Sequence, residues 1–331
     1  MKKVSCVGYH ATGSGTVDDF LREFDNTVTA RSGIECRFLQ DPDGIADLEF
    51  NLVTNPHRNN SGFALKRFLQ YAEQEKRTFH HIFGKRWMDW ARGYVEELAE
   101  FSYSGYWHAD VRILPPEQLF FYKARKAINL VMPKPFKKNK YYNYLPWLKT
   151  YCVDLTQEKF LEITRKHCEK LCEILNPDHL EYVVLDQAVS PGNAELYLRY
   201  IDDLKVIVVD RDPRDVYLND VIRNKDFVLP KDAREFCAVY RMSRRTVGQT
   251  GDTDCVLRVR FEDMIYRYDE TTRKIMRFLE LKEENHKWSR NYFDPQVSMK
   301  NTKLWEKYPE YAGAVKIIEE ELPEYLYTYD R

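Results

Sequence analysis

The stretch LKVIVVDRDPRDVYLN, residues 204–219, decides the fold. Val206, Ile207, Val208 and Val209 are consecutive β-branched residues, the composition of a strand covered on both faces of a parallel sheet. Such a strand presents ligand-binding residues at its carboxyl end. Here that end carries Arg211, Pro213, Arg214 and Asp215, with a helix predicted from Pro213. Two guanidiniums beside a helix start make a phosphate seat. An arginine–aspartate knot that caps the helix is the other reading of the same residues.

The pattern repeats on both sides. Residues 4–7 read as a short apolar strand, 8–15 as a glycine loop, and 16–24 as a helix with Val17, Phe20, Leu21 and Phe24 on one face. Residues 34–39 read as a second strand that ends at the turn Asp41-Pro42-Asp43-Gly44. A helix capped by Asp154 or Thr156 carries Phe160, Ile163, His167, Leu171 and Ile174 at helical spacing. Strands over 182–185, 205–209 and 255–260 then alternate with helices over 194–201, 213 onward, 231–246 and 268–279. This alternation specifies an α/β fold with a central parallel sheet flanked by helices.

Residues 45–101 read as mostly helical, with breaks near Asn55-Pro56 and over 60–62. Residues 118–153 differ in kind. They hold no acidic residue, eight lysines and arginines, nine aromatics, and prolines at 133, 135 and 146. The expectation is an irregular basic-aromatic excursion. With neither an internal repeat nor a low-complexity linker, residues 1–331 are expected to form a single domain with residues 45–153 as a largely helical insertion.

Composition narrows the function. Fifty-one basic residues against fifty-two acidic ones leave a net charge of −1, so no global polyanion partner and no nucleic acid is expected. The seven cysteines are scattered without a CxxC pair, the pattern of a reduced, intracellular chain. His167, Cys168 and Cys172 lack the second cysteine pair that a zinc site needs, and packed helix residues are the reading preferred. Met1-Lys2-Lys3 starts like a signal peptide, but the apolar run ends at Gly8 and no stretch approaches membrane-spanning length. A cytoplasmic protein without membrane insertion is expected, its oligomeric state left open.

The loop Gly8-Tyr9-His10-Ala11-Thr12-Gly13-Ser14-Gly15-Thr16 follows the first strand and precedes a helix. That layout points backbone N–H groups at a phosphate. The two glycines of GxxxxGK[ST] are present, but Ser14 stands where the lysine belongs and Gly15 where the magnesium-binding hydroxyl belongs. The loop therefore reads as a phosphate cradle without the groups of ATP hydrolysis.

Together the two seats resemble the sulfotransferases that use 3′-phosphoadenosine 5′-phosphosulfate (PAPS), with their P-loop-NTPase-like fold. In that family a first loop of the form PKSGTT holds the 5′-phosphosulfate, and Ser14-Gly15-Thr16 matches its SGT. A second motif, RxPxDxxxS, holds the 3′-phosphate, and Arg211-Asp212-Pro213-Arg214-Asp215 matches its first part. Phe261-Glu262-Asp263-Met264 resembles the family's YEDL segment, and Lys300-Asn301-Thr302-Lys303-Leu304-Trp305 its C-terminal nucleotide-closing loop. The resemblance covers residues 1–40 and 180–310. It departs at Gly13, where the family has a lysine, and at Asn219, where it has a serine; an asparagine amide still donates to a phosphate oxygen.

The resemblance implies transfer of a sulfuryl group from PAPS to a hydroxyl of a small molecule or glycan, with 3′,5′-ADP as product and no metal required. Thr12, Gly13, Ser14, Gly15, Thr16, Arg211, Asn219, Lys300, Asn301 and Lys303 are then the nucleotide-binding residues. His10, Arg37 or a lysine of the basic segment stands in for the missing lysine. The carbohydrate-acting members have a catalytic glutamate in KExxFF, to which Ile34-Glu35-Cys36-Arg37-Phe38-Leu39 is similar at Glu35. Glu35 and His10 are thus the catalytic candidates; Asp41 and Asp43, or His80, His81 and His108, remain alternatives. For the acceptor, Asp41 and Asp186 join the basic-aromatic segment, with Lys137, Tyr141 and Trp147 foremost among Lys134, Lys138, Lys140, Tyr142 and Tyr144. A small-molecule P-loop kinase and a non-catalytic nucleotide- or glycan-binding relative are the competing classes.

Overall fold

Val206, Ile207, Val208 and Val209 lie in β6 (Leu204–Asp210), each of them buried. The computed structural model of the protein describes residues 1–30, 34–138, 142–224, 228–245 and 251–329. Burial of each such side chain is worth roughly 1.5–3 kcal/mol, which holds this run between two covered faces. β6 pairs in parallel with β1 (Lys2–Gly8) on one side and with β7 (Val256–Arg260) on the other. β1 pairs with β5 (Tyr182–Asp186), and β5 with the short edge strand β2 (Thr27–Thr29). The five strands are parallel throughout, in the order β2-β5-β1-β6-β7. The α/β class with a central parallel sheet is as the alternation predicts.

Alternation along the strands assigns the two faces. Val4, Cys6, Tyr182, Val184, Ile207, Val209, Leu257 and Val259 share one cluster with Val17, Phe20 and Leu21 of α1 (Gly15–Leu21). Ile275, Met276 and Leu279 of α12 (Tyr268–Leu279) complete it. On the opposite face the Lys3 ammonium pairs with Glu169 of α7 (Gln157–Leu175) at 2.6 Å. Thr156 caps α7, its Oγ1 accepting from the Lys159 amide at 3.3 Å.

By contact density the chain divides into two units, residues 1–39 with 168–331 and residues 40–167. The first holds the sheet, α8 (Ala194–Tyr197), α9 (Pro213–Asn219), α10 (Ala233–Ser243) and α11 (Phe261–Tyr266). The second is built on α2 (Ile45–Glu49), α3 (Arg58–Gln74), α4 (Lys76–Phe83), α5 (Arg86–Leu98) and α6 (Pro116–Val131). It also holds the antiparallel hairpin of β3 (Phe101–Ser104) and β4 (Lys149–Cys152).

The core of the second unit is a ladder of rings: Phe79–Trp87 centroids at 4.1 Å, Trp87–Trp90 at 4.9 Å and Trp90–Tyr94 at 5.6 Å. Each polar tip is satisfied, as burial demands. Trp87 donates to Ala72 O, Trp90 to His167 O, and Tyr94 meets the Thr164 hydroxyl at 2.7 Å.

Four expectations are corrected. Residues 34–39 are not a strand: the Cys36 amide donates to Asp186 O at 2.7 Å, and the chain then coils into a 3-10 turn, Arg37–Leu39. Their apolar–polar alternation buries Cys36 and Phe38 without a ladder, and the edge position belongs to Thr27–Thr29. Residues 60–62 do not break the helix but lie inside α3, where Gly62 lets β4 approach; a Cβ there would fall on Tyr151 O. The helix over 194–201 is only α8 followed by a 3-10 turn, Leu198–Tyr200. Residues 118–131 are not irregular: they complete α6, which Pro116 starts and whose apolar residues follow a helical period.

Candidate functional site

The first loop leaves β1 at Gly8 and turns through three residues of positive φ: His10 at 84°, Ala11 at 53° and Gly13 at 86°. Glycine is required at 13, where a Cβ would lie 2.5 Å from the Phe261 ring. Short hydrogen bonds fix the loop. Thr12 Oγ1 accepts from the Tyr9 amide at 3.1 Å, and Thr16 Oγ1 donates to Gly13 O at 2.7 Å. Gln187, just past β5, accepts from the Gly8 amide and donates to Ser14 Oγ at 2.8 Å. Among the described residues, the backbone N–H groups of Thr12, Gly13, Ser14 and Gly15 meet no acceptor. A run of amides so arranged suits an oxyanion.

Arg211, at the end of β6, is 3% exposed. It donates from Nη1 to Ala11 O at 2.8 Å and from Nη2 to Asn301 O at 2.5 Å, with the Phe261 ring 4.8 Å from its guanidinium carbon. The two sequence motifs, about two hundred residues apart, are therefore one structure. Asp212, Asp215 and Glu262 are the struts behind it. Asp212 caps α9 through the Arg214 amide and accepts from Tyr327 N at 2.9 Å, while its own N–H donates to Glu262 Oε1 at 2.8 Å. Asp215 accepts from the amides of Lys303 and Leu304 at 3.0 and 2.7 Å. Burial lifts Asp215 to about 6 against the pull of Arg211, and lifts Glu262 to about 7 against that of Arg260. Arg214 grips Asp212 and Glu319 and stacks on Trp305 at 3.7 Å. The helix-capping knot forms, and the two arginines divide: Arg214 belongs to the knot, Arg211 to the loop.

Two further groups approach the same loop. His10 Nε2 lies 3.1 Å from Asp220 Oδ1, just past Asn219 at the end of α9. Asn219 is half-buried. Arg244 was not read from the sequence. It pairs with Asp210 at 2.6 Å and stacks between the Tyr9 and Tyr240 rings at 4.3 and 3.2 Å. Its only sequence signal is a basic pair at the end of a helix. Thr302 is buried, and Lys303, at φ 51°, places its ammonium 4.7 Å from the Tyr329 ring. Lys300 is exposed.

Beside the loop sits a group of carboxylates. Asp186 ends β5, in register with Cys6, and its Oδ1 is buried without a hydrogen-bond partner. Burial, then the neighbouring Asp18 and Glu35 charges, lift its carboxyl to about 8. Asp18 on α1 is buried as well and rises to about 7, chiefly from desolvation and then from Asp19. Glu35 is exposed and pairs with Arg37 at 3.3 Å. It thus reaches this group from a coil rather than from a strand end.

The second unit holds the remaining candidates. Asp41 Oδ2 accepts from the Tyr71 hydroxyl at 3.0 Å. Asp43 pairs with Arg67 at 2.9 Å. His80 and His81 are exposed at the end of α4, and His108 packs on Trp107 at 4.7 Å. Lys137 donates to Leu130 O, Trp147 donates to Gln118, and Tyr144 is buried. Lys140 and Tyr141 lie outside the described residues. A pocket of about 130 Å³ opens between α3 and the hairpin, walled by Phe63, Tyr103, Tyr106 and Trp107. At its base Lys66 pairs with buried Asp110 at 2.5 Å, and Arg58 stands at its edge.

His167 pairs with Glu97 at 2.9 Å, and the thiol of Cys172 is pushed up to about 12 by burial. Among the described residues no group of histidines, cysteines and carboxylates has the arrangement of a metal site, and no helix is long and apolar enough to cross a membrane. Comparisons of the chain with protein-family models, with curated proteins and with solved structures give no match.

Proposed function

We propose that the protein is a PAPS-dependent sulfotransferase of the P-loop-like fold, moving a sulfuryl group to a hydroxyl of a carbohydrate or glycoconjugate. The observation that carries this reading is the hydrogen bond from Arg211 to Ala11 O, which joins the motif resembling the 3′-phosphate seat to the loop resembling the phosphosulfate cradle. The amides of residues 12–15 suit the phosphosulfate. Arg211 and Asn219 suit the 3′-phosphate, with Lys300, Asn301 and Lys303 closing that side. The aromatic-walled pocket of the second unit is the acceptor-binding candidate: stacking rings with a few polar groups are what orient a sugar.

The acceptor hydroxyl oxygen bonds to sulfur as the bond from sulfur to the bridging phosphate oxygen breaks, giving the sulfate ester and 3′,5′-ADP. The loop amides stabilise the charge that develops on the departing phosphate. His10, oriented by Asp220, donates to it in place of the family's lysine. Glu35 takes the hydroxyl proton, and Asp186, whose carboxyl burial lifts to about 8, stands beside it as a hydrogen-bond donor to the acceptor.

The test is incubation with PAPS and a panel of glycans and phenols, read by mass spectrometry, beside thermal melts with 3′,5′-ADP. A sulfated product together with a raised melting temperature is expected. Stabilisation by ATP–Mg²⁺ and not by 3′,5′-ADP identifies a kinase instead. Nucleotide binding without transfer to any acceptor identifies a non-catalytic relative.

A further inference from the structure

Helix α6 is mounted with its polar side inward. Gln118, Tyr122, Arg125 and Asn129 follow one another at helical spacing and make its contacts. Gln118 accepts from Trp147 Nε1 at 3.2 Å, and Tyr122 meets the Tyr106 and Tyr144 rings edge-on at 6.0 and 6.2 Å. Arg125 donates to Tyr144 O at 3.0 Å, and the Asn129 amide to the Tyr144 hydroxyl at 2.5 Å. On the other side Phe120, Ala124, Ile128 and Val131 form a continuous stripe, with Phe121 beside it. No residue of α6 is buried, and Phe120, Phe121, Ile128, Leu130, Val131 and, just beyond the helix, Phe136 are each more than half exposed.

A helix that packs into a water-surrounded fold turns its apolar stripe to the core. The reverse mounting leaves a contiguous apolar patch of the kind that marks an interaction surface. Charge identifies what covers it. Lys123, Lys126, Lys134, Lys137 and Lys138 lie on the helix or within seven residues of its end, and residues 118–153 contain no acidic side chain. An apolar stripe bordered by lysines is the make-up of a helix lying in the interface of a negatively charged bilayer. At about 24 Å, and with these charges, α6 lies along such a surface rather than through it. A second copy docked by the same face would set these cations against themselves across a two-fold axis.

We propose that α6 docks the protein on a membrane surface rich in anionic lipid. Phe120, Phe121, Ile128 and Val131 enter the acyl boundary, and Lys123, Lys126, Lys134 and Lys137 meet the headgroups. This inference stands independently of the nucleotide reading.

The experiment is co-sedimentation of the full chain with vesicles of phosphatidylcholine alone and of phosphatidylcholine with phosphatidylserine. The wild type is expected to sediment with the serine-lipid vesicles, to be released by added salt, and to stay in the supernatant with phosphatidylcholine alone. The Phe120→Ser/Val131→Ser variant should lose roughly tenfold or more in partitioning. Lys123→Glu/Lys126→Glu should lose the preference for serine lipid. All four positions are off the core, so unchanged circular-dichroism melts separate lost docking from lost folding. Wild-type protein that ignores both vesicles overturns the proposal, as does full vesicle binding by the serine variant. A dimer in light scattering that the serine variant abolishes, without vesicle binding, assigns the stripe to a second copy instead.

Discussion

Arg211 donates to the carbonyl oxygen of Ala11 at 2.8 Å, so a side chain at the end of β6 fixes the backbone of the loop that follows β1. The same guanidinium reaches Asn301 O at 2.5 Å, which ties in the C-terminal segment. One buried cation thus assembles three stretches that are remote in sequence. Under the proposed nucleotide reading, its replacement separates assembly from ligand recognition. Arg211→Ala removes the guanidinium donor from two carbonyls, at a cost on the order of 1–3 kcal/mol for each that is then left buried and unpaired. Arg211→Lys keeps the charge but not the fork. It should unfold at less denaturant than the wild type and more than Arg211→Ala, while both variants lose at least about tenfold in 3′,5′-ADP affinity, or roughly 1.4 kcal/mol. Urea melts and calorimetric titrations check the two statements.

The loop glycines should behave oppositely. Gly13→Ala forces a methyl into the Phe261 ring at a positive φ, and should destabilise the fold by more than about 1 kcal/mol. Gly15→Ala meets open space at the first residue of α1, so its stability should stay within about 1 kcal/mol of the wild type. If phosphate approaches the Gly15 amide, that same silent methyl weakens 3′,5′-ADP binding. Paired melts and titrations of the two variants distinguish the roles.

Much of this architecture was legible in the sequence because desolvation wrote it there. Consecutive buried β-branched residues gave β6, and a shorter apolar run gave β1; neither is compatible with solvent. The glycine loop was legible because a positive φ at 13 leaves few residues to choose from. What was not legible depends on partners far along the chain. Residues 34–39 alternate like a strand, yet the Cys36 amide donates to Asp186 O and the segment takes no place in the sheet. Arg244 reaches the loop only because Asp210 and two tyrosine rings hold it there. In residues 118–131 the basic and aromatic composition hid a regular helix, and no local rule reports that its apolar side faces outward.

The buried carboxyls set the sign of a pH dependence. Asp18 and Asp186 rise to about 7 and about 8 because burial disfavours their charge. The folded state therefore keeps protons that the unfolded chain releases near pH 4. Their stabilising contribution is complete below that pH and is lost as pH rises through 7 and 8. Asp18→Asn and Asp186→Asn should each flatten the decline in melting temperature between pH 5 and pH 8.5. Each should be more stable than the wild type at the upper end, by on the order of 1–3 kcal/mol. Melting curves across that range supply the comparison.

Asp215 secures the C-terminal segment through the amides of Lys303 and Leu304. Asp215→Ala leaves both without an acceptor, and limited proteolysis should then cut near residues 299–308 well before the wild type is cleaved. Added 3′,5′-ADP should slow cleavage of the wild type there if Lys300 and Lys303 close over the nucleotide.

The central claim is that the Gly8–Thr16 loop and Arg211 form one seat for a nucleotide phosphorylated at both its 3′ and 5′ positions. Calorimetric titration of the wild type with 3′,5′-ADP, set beside 5′-AMP, tests it most directly. The account predicts saturable binding of one 3′,5′-ADP per chain, at least about tenfold tighter than 5′-AMP. Absence of binding, or equal affinity for the two nucleotides, would contradict it.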